Sequence, residues 1–129
     1  MAQGGIVEEM LQGEPFASPS VQVDLLPDGA VKVLATHEQE LGGEDKQVYM
    51  GCRFPADLAY APEHGRRIGE ALARQGAVGR FALDFAAVRS GGAWTVSGPE
   101  INLRKGGTTH PYACLRNLAP RRYDAAAGV

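Results

Sequence analysis

The stretch Arg80–Leu103, RFALDFAAVRSGGAWTVSGPEINL, decides how this chain folds. From Arg80 to Val88 the residues alternate. Phe81, Leu83, Phe85 and Ala87 fall on one face and Arg80, Ala82, Asp84 and Ala86 on the other, the period of a half-buried strand. Gly91-Gly92 then offers a tight turn, and Trp94–Leu103 returns as a second strand. Glu100 and Asn102 are two apart, so both oxygens project from one face. Whether Asp84 joins them depends on register. A strict two-residue loop pairs Ser90 with Ala93 and sets Asp84 opposite Pro99. A three-residue loop, or a bulge at Pro99, brings Asp84 opposite Glu100 and puts Phe81, Leu83 and Phe85 on the face of Ile101 and Leu103. Proline cannot donate a ladder hydrogen bond and favours edges and bulges, which suits the shifted register.

Working outward, Pro62–Gln75 carries Ile68, Ala71 and Leu72 at helical spacing, with Pro62 near the start and Gly76 at the end. Val21–Leu26 and Val31–Ala35 are apolar runs joined by Pro27-Asp28-Gly29-Ala30, the chemistry of a hairpin turn. Gly5–Met10 reads as a short strand. The polar stretch His37–Tyr49, with Gly42 and Gly43, reads as a long loop in which His37-Glu38 is solvated. Thr108-Thr109-His110-Pro111 opens a short helix to about Leu118, with threonine at the N-cap. The order β, ββ, loop, α, ββ, α predicts an α+β fold: a mainly antiparallel sheet with two helices packed on it.

Composition narrows the function. The chain has 129 residues, 44% hydrophobic and 22% charged, with a formal net charge of −2 and no basic block. Neither nucleic acid nor an anionic membrane is an expected partner. No window holds the ~18 apolar residues of a membrane span. Cys52 and Cys114 are far apart, which argues against a disulfide framework or structural zinc and for free thiols in the cytoplasm.

Asp84, Glu100 and Asn102 are three oxygen-bearing side chains suited to a hard divalent cation, and an amide beside two carboxylates limits the negative charge facing a phosphate. Downstream, Gly106 and Gly107 leave backbone N–H groups open to an anion, and the helix after them adds its positive end. Arg104 and Lys105 add cationic charge. Blander roles compete. Asp84 alone reads as a solvated strand charge, Thr108 and Thr109 as caps, His110 as structural, His64 as exposed and Cys52 as an inert thiol. Arg53 either pairs with a carboxylate or meets substrate.

An Asp on one strand, Glu-x-Asn on the next and a glycine-containing loop resemble the metal-binding end of ATP-grasp enzymes. The longer string EINLRKGGTTHP, with SPSVQ and QVYMGCRFP upstream, resembles the peptide ligases of peptide-antibiotic biosynthesis, from about Gly5 to Asp124. The resemblance implies that Asp84, Glu100 and Asn102 hold one or two Mg²⁺ ions bridging the phosphates of ATP. It implies that Glu8 and Glu9 line the adenine and ribose pocket. Lys105, Gly106, Gly107 and Thr108 would meet the nucleotide, and Arg104 the carboxylate substrate and the transferring phosphate. The family reaction phosphorylates a carboxylate, and an amine then displaces the phosphate. Ala82 departs from the family, which often has Arg there; Arg104 or Arg80 is the candidate substitute. The chain is expected to be the C-terminal part of an ATP-grasp domain, truncated at both ends and inactive alone. It would pair with the missing N-terminal half or with a second copy. The alternatives are a non-catalytic ATP-grasp-like binding or oligomerisation module, and a structural domain with a solvated acidic face.

Overall fold

The computed structural model describes residues 4–5, 7, 9, 11, 13, 15–45, 47–57, 62–119 and 123–124. The elements are β1 (Phe16–Ala17), β2 (Pro19–Leu25), β3 (Val31–Gly42), β4 (Val48–Arg53), α1 (Pro62–Arg74), β5 (Gly79–Ser90), β6 (Ala93–Asn102) and α2 (Thr109–Leu118). All six strands form one antiparallel sheet. β5 is its spine, with β6 along one edge and β1 and β2 end to end along the other; β3 and β4 follow beyond β2. The expected α+β sheet with two helices is what the chain forms.

Both expected hairpins are present. In the β2–β3 turn, Leu26 N–H donates to the Ala30 carbonyl at 2.9 Å and Ala30 N–H to Asp28 Oδ1 at 3.0 Å. Gly91 and Gly92 have φ of +59° and +86°, the double left-handed step of a type I′ turn, and Ser90 pairs with Ala93 across it. Further along, Ala86 pairs with Ser97 but Asp84 with Glu100, so Gly98 and Pro99 together face Phe85. The two-residue turn and the bulge at Pro99 therefore occur together.

The stretch His37–Tyr49 is not the expected loop. β3 runs on to Gly42, and β4 returns from Val48 with Glu38 opposite Arg53. Arg53 pairs with Glu40 at 3.0 Å, both well exposed. Polar and charged side chains are how edge strands meet solvent, so the polarity marked an edge rather than a loop. His37 is not solvated but fully buried, its ring 5.3 Å from that of Phe54. Of the expected strand Gly5–Met10, Gly5, Val7 and Glu9 belong to no strand, and the remainder, Glu8 included, lies outside the described residues.

The sheet is covered unequally on its two faces. Val21, Val23 and Leu25 of β2 meet Phe81, Leu83, Phe85 and Ala87 of β5 on one face, where Ile68, Leu72 and Ala73 of α1 pack. α1 makes its closest approach through glycine. A Cβ on Gly65 would stand 2.4 Å from Val21 Cγ1, and one on Gly69 2.8 Å from Val31 Cγ1. His64, expected to be exposed, is half-buried with its ring 6.1 Å from Phe85. On the opposite face Tyr112 of α2 closes over Leu34 and Ala35, joined by Phe54 and Tyr123. The Tyr123 hydroxyl accepts from Thr36 N–H at 2.7 Å and donates to the Thr36 carbonyl at 3.1 Å.

Gly65→Ala should lower the urea midpoint, by about 1–2 kcal/mol of stability. Overpacking against Val21 outweighs the ~1 kcal/mol helix-propensity gain of alanine; a more stable variant would contradict the packing. His37 gives a pH signature. Burial lowers its pKa to about 4 from the ordinary 6.5, so its stabilising contribution is present above pH 6.5 and lost as pH falls through 4. Up to roughly 3 kcal/mol should disappear across that window, and chemical denaturation of His37→Leu between pH 4 and 7 should show a flatter profile.

Candidate functional site

The bulge in β6 sets the site. With Asp84 opposite Glu100 and Ala82 opposite Asn102, all three polar side chains rise from the α2 face of the sheet. Asn102 Nδ2 donates to Asp84 Oδ2 at 2.8 Å. They line a cleft of about 240 Å³. Burial raises the pKa of Asp84 above the ordinary carboxylate value, and the neighbouring Glu100 charge raises it further. Ser20, Arg104 and Asn102 act in the opposite direction without cancelling the shift.

One wall of the cleft is the chain after β6: Arg104, Gly106, Gly107 and Thr108 all line it. Gln22 holds this loop down. Its Nε2 donates to the Thr108 carbonyl at 3.0 Å and to Thr108 Oγ1 at 3.2 Å, although the two residues are 86 apart in sequence. Both are buried. Thr108 sits at the N-cap position, but its side chain makes no capping bond, so the expected cap is replaced by a tie to the sheet. The loop lies close over β5: a Cβ on Gly106 would be 3.6 Å from Ala82 Cβ. Alanine at that position gives the loop room.

Arg104 is the guanidinium at the cleft, with Nη1 donating to the Lys105 carbonyl at 3.3 Å. Arg80, the other candidate for the missing family arginine, is tied to Asp24 by bonds of 3.0 and 2.8 Å and is not among the cleft residues. That pairing lowers the Asp24 pKa and raises that of Arg80. Lys105 and Glu9 are exposed and do not line the cleft; Glu8 lies outside the described residues.

The far wall was not legible in the sequence. Gln39 and Tyr49 come from the β3–β4 hairpin, the stretch read as a loop. The Tyr49 ring lies 3.6 Å from where a Gly107 Cβ would be. Burial, with the Cys52 thiol beside it, pushes the Tyr49 phenol to about 12, so it remains a neutral donor and acceptor. Gln22, buried in β2, was missed as well. The signal for it was a long polar side chain between Val21 and Val23, in the run Val21–Leu26 that is otherwise apolar but for Asp24.

No family model matches the chain. It is 45% identical over 126 residues to the L-propargylglycine–L-glutamate ligase of Streptantibioticus cattleyicolor, a match that takes in 95% of this chain and 25% of that protein. Among solved structures, it resembles the biotin carboxylase domain of the Hydrogenobacter thermophilus 2-oxoglutarate carboxylase, a dimer in complex with MgADP, ADP and bicarbonate. The TM-score is 0.59 at 19% identity, covering 78% of this chain and 21% of that one. The biotin carboxylase domain of a thermophilic 2-oxoglutarate carboxylase bound to bicarbonate gives 0.60 at 16% identity, over 92% and 29%. The chain thus spans about a quarter of the ligase it matches. It shares the fold of the C-terminal, ATP-grasp part of those larger biotin carboxylase domains, and 95% of its sequence is similar to one segment of the Streptantibioticus ligase.

Proposed function

We propose that this chain forms the Mg-ATP-binding portion of an ATP-dependent carboxylate–amine ligase of the peptide-forming kind, working through an acyl phosphate. The observation that carries the proposal is the direct register of Asp84 with Glu100, with Asn102 bonded to Asp84, at the floor of one cleft. Two carboxylates and an amide suit Mg²⁺, which takes few protein ligands and fills its remaining positions with water and phosphate oxygens. The raised pKa of Asp84 fits the same role, because a cation between it and Glu100 would relieve the burial and repulsion that cause the shift. Bound there, Mg²⁺ would act as a Lewis acid on the transferring phosphoryl group.

In this proposal Arg104 neutralises charge on the carboxylate substrate and the transferring phosphate. The backbone of Gly106, Gly107 and Thr108, fixed by Gln22, receives phosphate oxygens. Lys105 contributes charge from the rim, and Glu8 and Glu9 face the adenine and ribose. A carboxylate oxygen attacks the γ-phosphorus and ADP leaves; an amine then attacks the acyl carbon and phosphate leaves. The name of the Streptantibioticus relative pairs two amino acids, so amino-acid carboxylates and amines are the proposed substrate class.

A cleft of 240 Å³ is smaller than the roughly 300–1,000 Å³ that encloses a drug-sized ligand, so it suits phosphates and a cation better than a whole nucleotide. The rest of the nucleotide site is proposed to come from an ATP-grasp N-terminal half. The second reading, a non-catalytic docking module, draws on the exposed Met50, Leu103 and Leu118.

An NMR titration with Mg-ADP tests the first reading. Shifts should centre on Asp84, Glu100–Thr109 and Gln22 and be lost in Glu100→Gln and Asp84→Asn; a folded chain with no shifts would favour the docking module. Asp84→Asn carries a second expectation. A carboxyl whose folded pKa is raised contributes stability at pH below its unfolded value and loses it as pH rises through the folded value. At pH 7.5 without metal the variant should therefore melt a few degrees higher, on the order of 1 kcal/mol. That gain should vanish as the pH is lowered toward 4.

A further inference from the structure

We infer that Ser20 and His37 are positioning residues for the cation site, Ser20 acting on Asp84 from the adjacent β2 and His37 acting through Ser20 from β3; this rests on the cation-binding role proposed above. His37, Ser20, Asp84 and Glu100 form one straight row across β3, β2, β5 and β6, each directly opposite the next. His37 and Ser20 are 0% and 1% exposed, yet Ser20 Oγ and both ring nitrogens of His37 have no hydrogen-bond partner among the described residues. An unpaired buried polar group costs stability, by about 1–3 kcal/mol. Two of them side by side in the sheet therefore require a reason other than stability.

The reason lies in what Asn102 must do. In the structure its amide N–H binds Asp84. To give a cation its oxygen, the amide has to turn, because the amide nitrogen carries no lone pair for a metal, and Asp84 then loses that donor. One carboxylate oxygen faces the cation, and the other needs a new donor. Ser20 stands directly across from it, near enough for its hydroxyl to favour the ionised carboxylate, although it is not in hydrogen-bond geometry. Rotation about a single side-chain bond supplies the hydroxyl hydrogen. The Ser20 oxygen is then free to accept the one N–H of His37, which burial keeps neutral. His37 N–H to Ser20, and Ser20 O–H to Asp84, fixes the orientation of the ligating carboxylate from behind. Partners of this kind are worth about 10–100-fold in metal affinity.

The test is Mn²⁺ binding in the presence of ADP, followed by the EPR signal of free Mn²⁺, with the metal-free thermal midpoint measured beside it. Ser20→Ala should weaken Mn²⁺ binding by about tenfold or more while leaving the midpoint unchanged or higher, since an unpaired buried hydroxyl has been removed. His37→Gln, which keeps an N–H, should retain more affinity than His37→Leu. Wild-type affinity in Ser20→Ala would overturn the inference and leave the cation site standing. Loss of midpoint and affinity together would overturn it too, assigning Ser20 to the fold. Absence of Mn²⁺ binding in the wild type would remove the cation site and this inference with it.

Discussion

Because side chains alternate along a strand, the single extra residue in β6 opposite Phe85 determines which groups meet across the β5–β6 pair. Without it, the register of the Gly91-Gly92 turn would carry through and place Pro99 against Asp84. Glu100 and Asn102 would then rise on the α1 face, away from the acid they are built to join. With it, two registers coexist in one hairpin: Ser90–Ala93 to Ala86–Ser97 on the turn side of the bulge, and Asp84–Glu100 to Ala82–Asn102 beyond it. Gly98 makes this possible sterically, since even a Cβ there would stand 3.3 Å from the Phe85 ring. The cleft, the Asn102–Asp84 bond and the position of the following loop all derive from that offset.

β2 serves both faces of the sheet. Its odd-numbered residues Val21, Val23 and Leu25 form the apolar core beneath α1, and its even-numbered residues Ser20, Gln22 and Asp24 face the other side, where Gln22 binds Thr108, Asp24 pairs with Arg80 and Ser20 stands opposite Asp84. Seven residues therefore tie the hydrophobic core to the site. The glycines of α1 matter for the same reason: they let the helix lie directly on Val21 and Val31, which fixes the height of β2 and β3 under the cleft.

The β5–β6 hairpin and its three polar residues were legible in the sequence because alternation, a Gly-Gly turn and a proline where a bulge belongs all act locally. α1 was legible in its bounds but not in its contact. Hydrophobic spacing pointed to Ile68 and Leu72, whereas the closest packing falls to Gly65 and Gly69, which carry no hydrophobic signal. The β3–β4 hairpin was lost because an edge strand carries the same polar residues as a loop, and only its pairing separates the two. His37 was misjudged with it. Gln22 could not be assigned at all, since its role is a bond to a residue 86 positions away and no local pattern encodes that. Glu8 and Glu9 rest on family resemblance alone.

The contact between Tyr123 and Thr36 has a consequence for how the sheet ends. β4 covers β3 only from Glu38 onward, so the outward N–H and C=O of Thr36 lie just past the last β3–β4 partner pair. A strand from another molecule could extend the sheet through those two groups. One phenol from near the end of the chain takes both, as acceptor and as donor. A lone tyrosine side chain thus does the work of a seventh strand at that point: it satisfies the backbone as a neighbour would and offers no backbone of its own for polymerisation to continue.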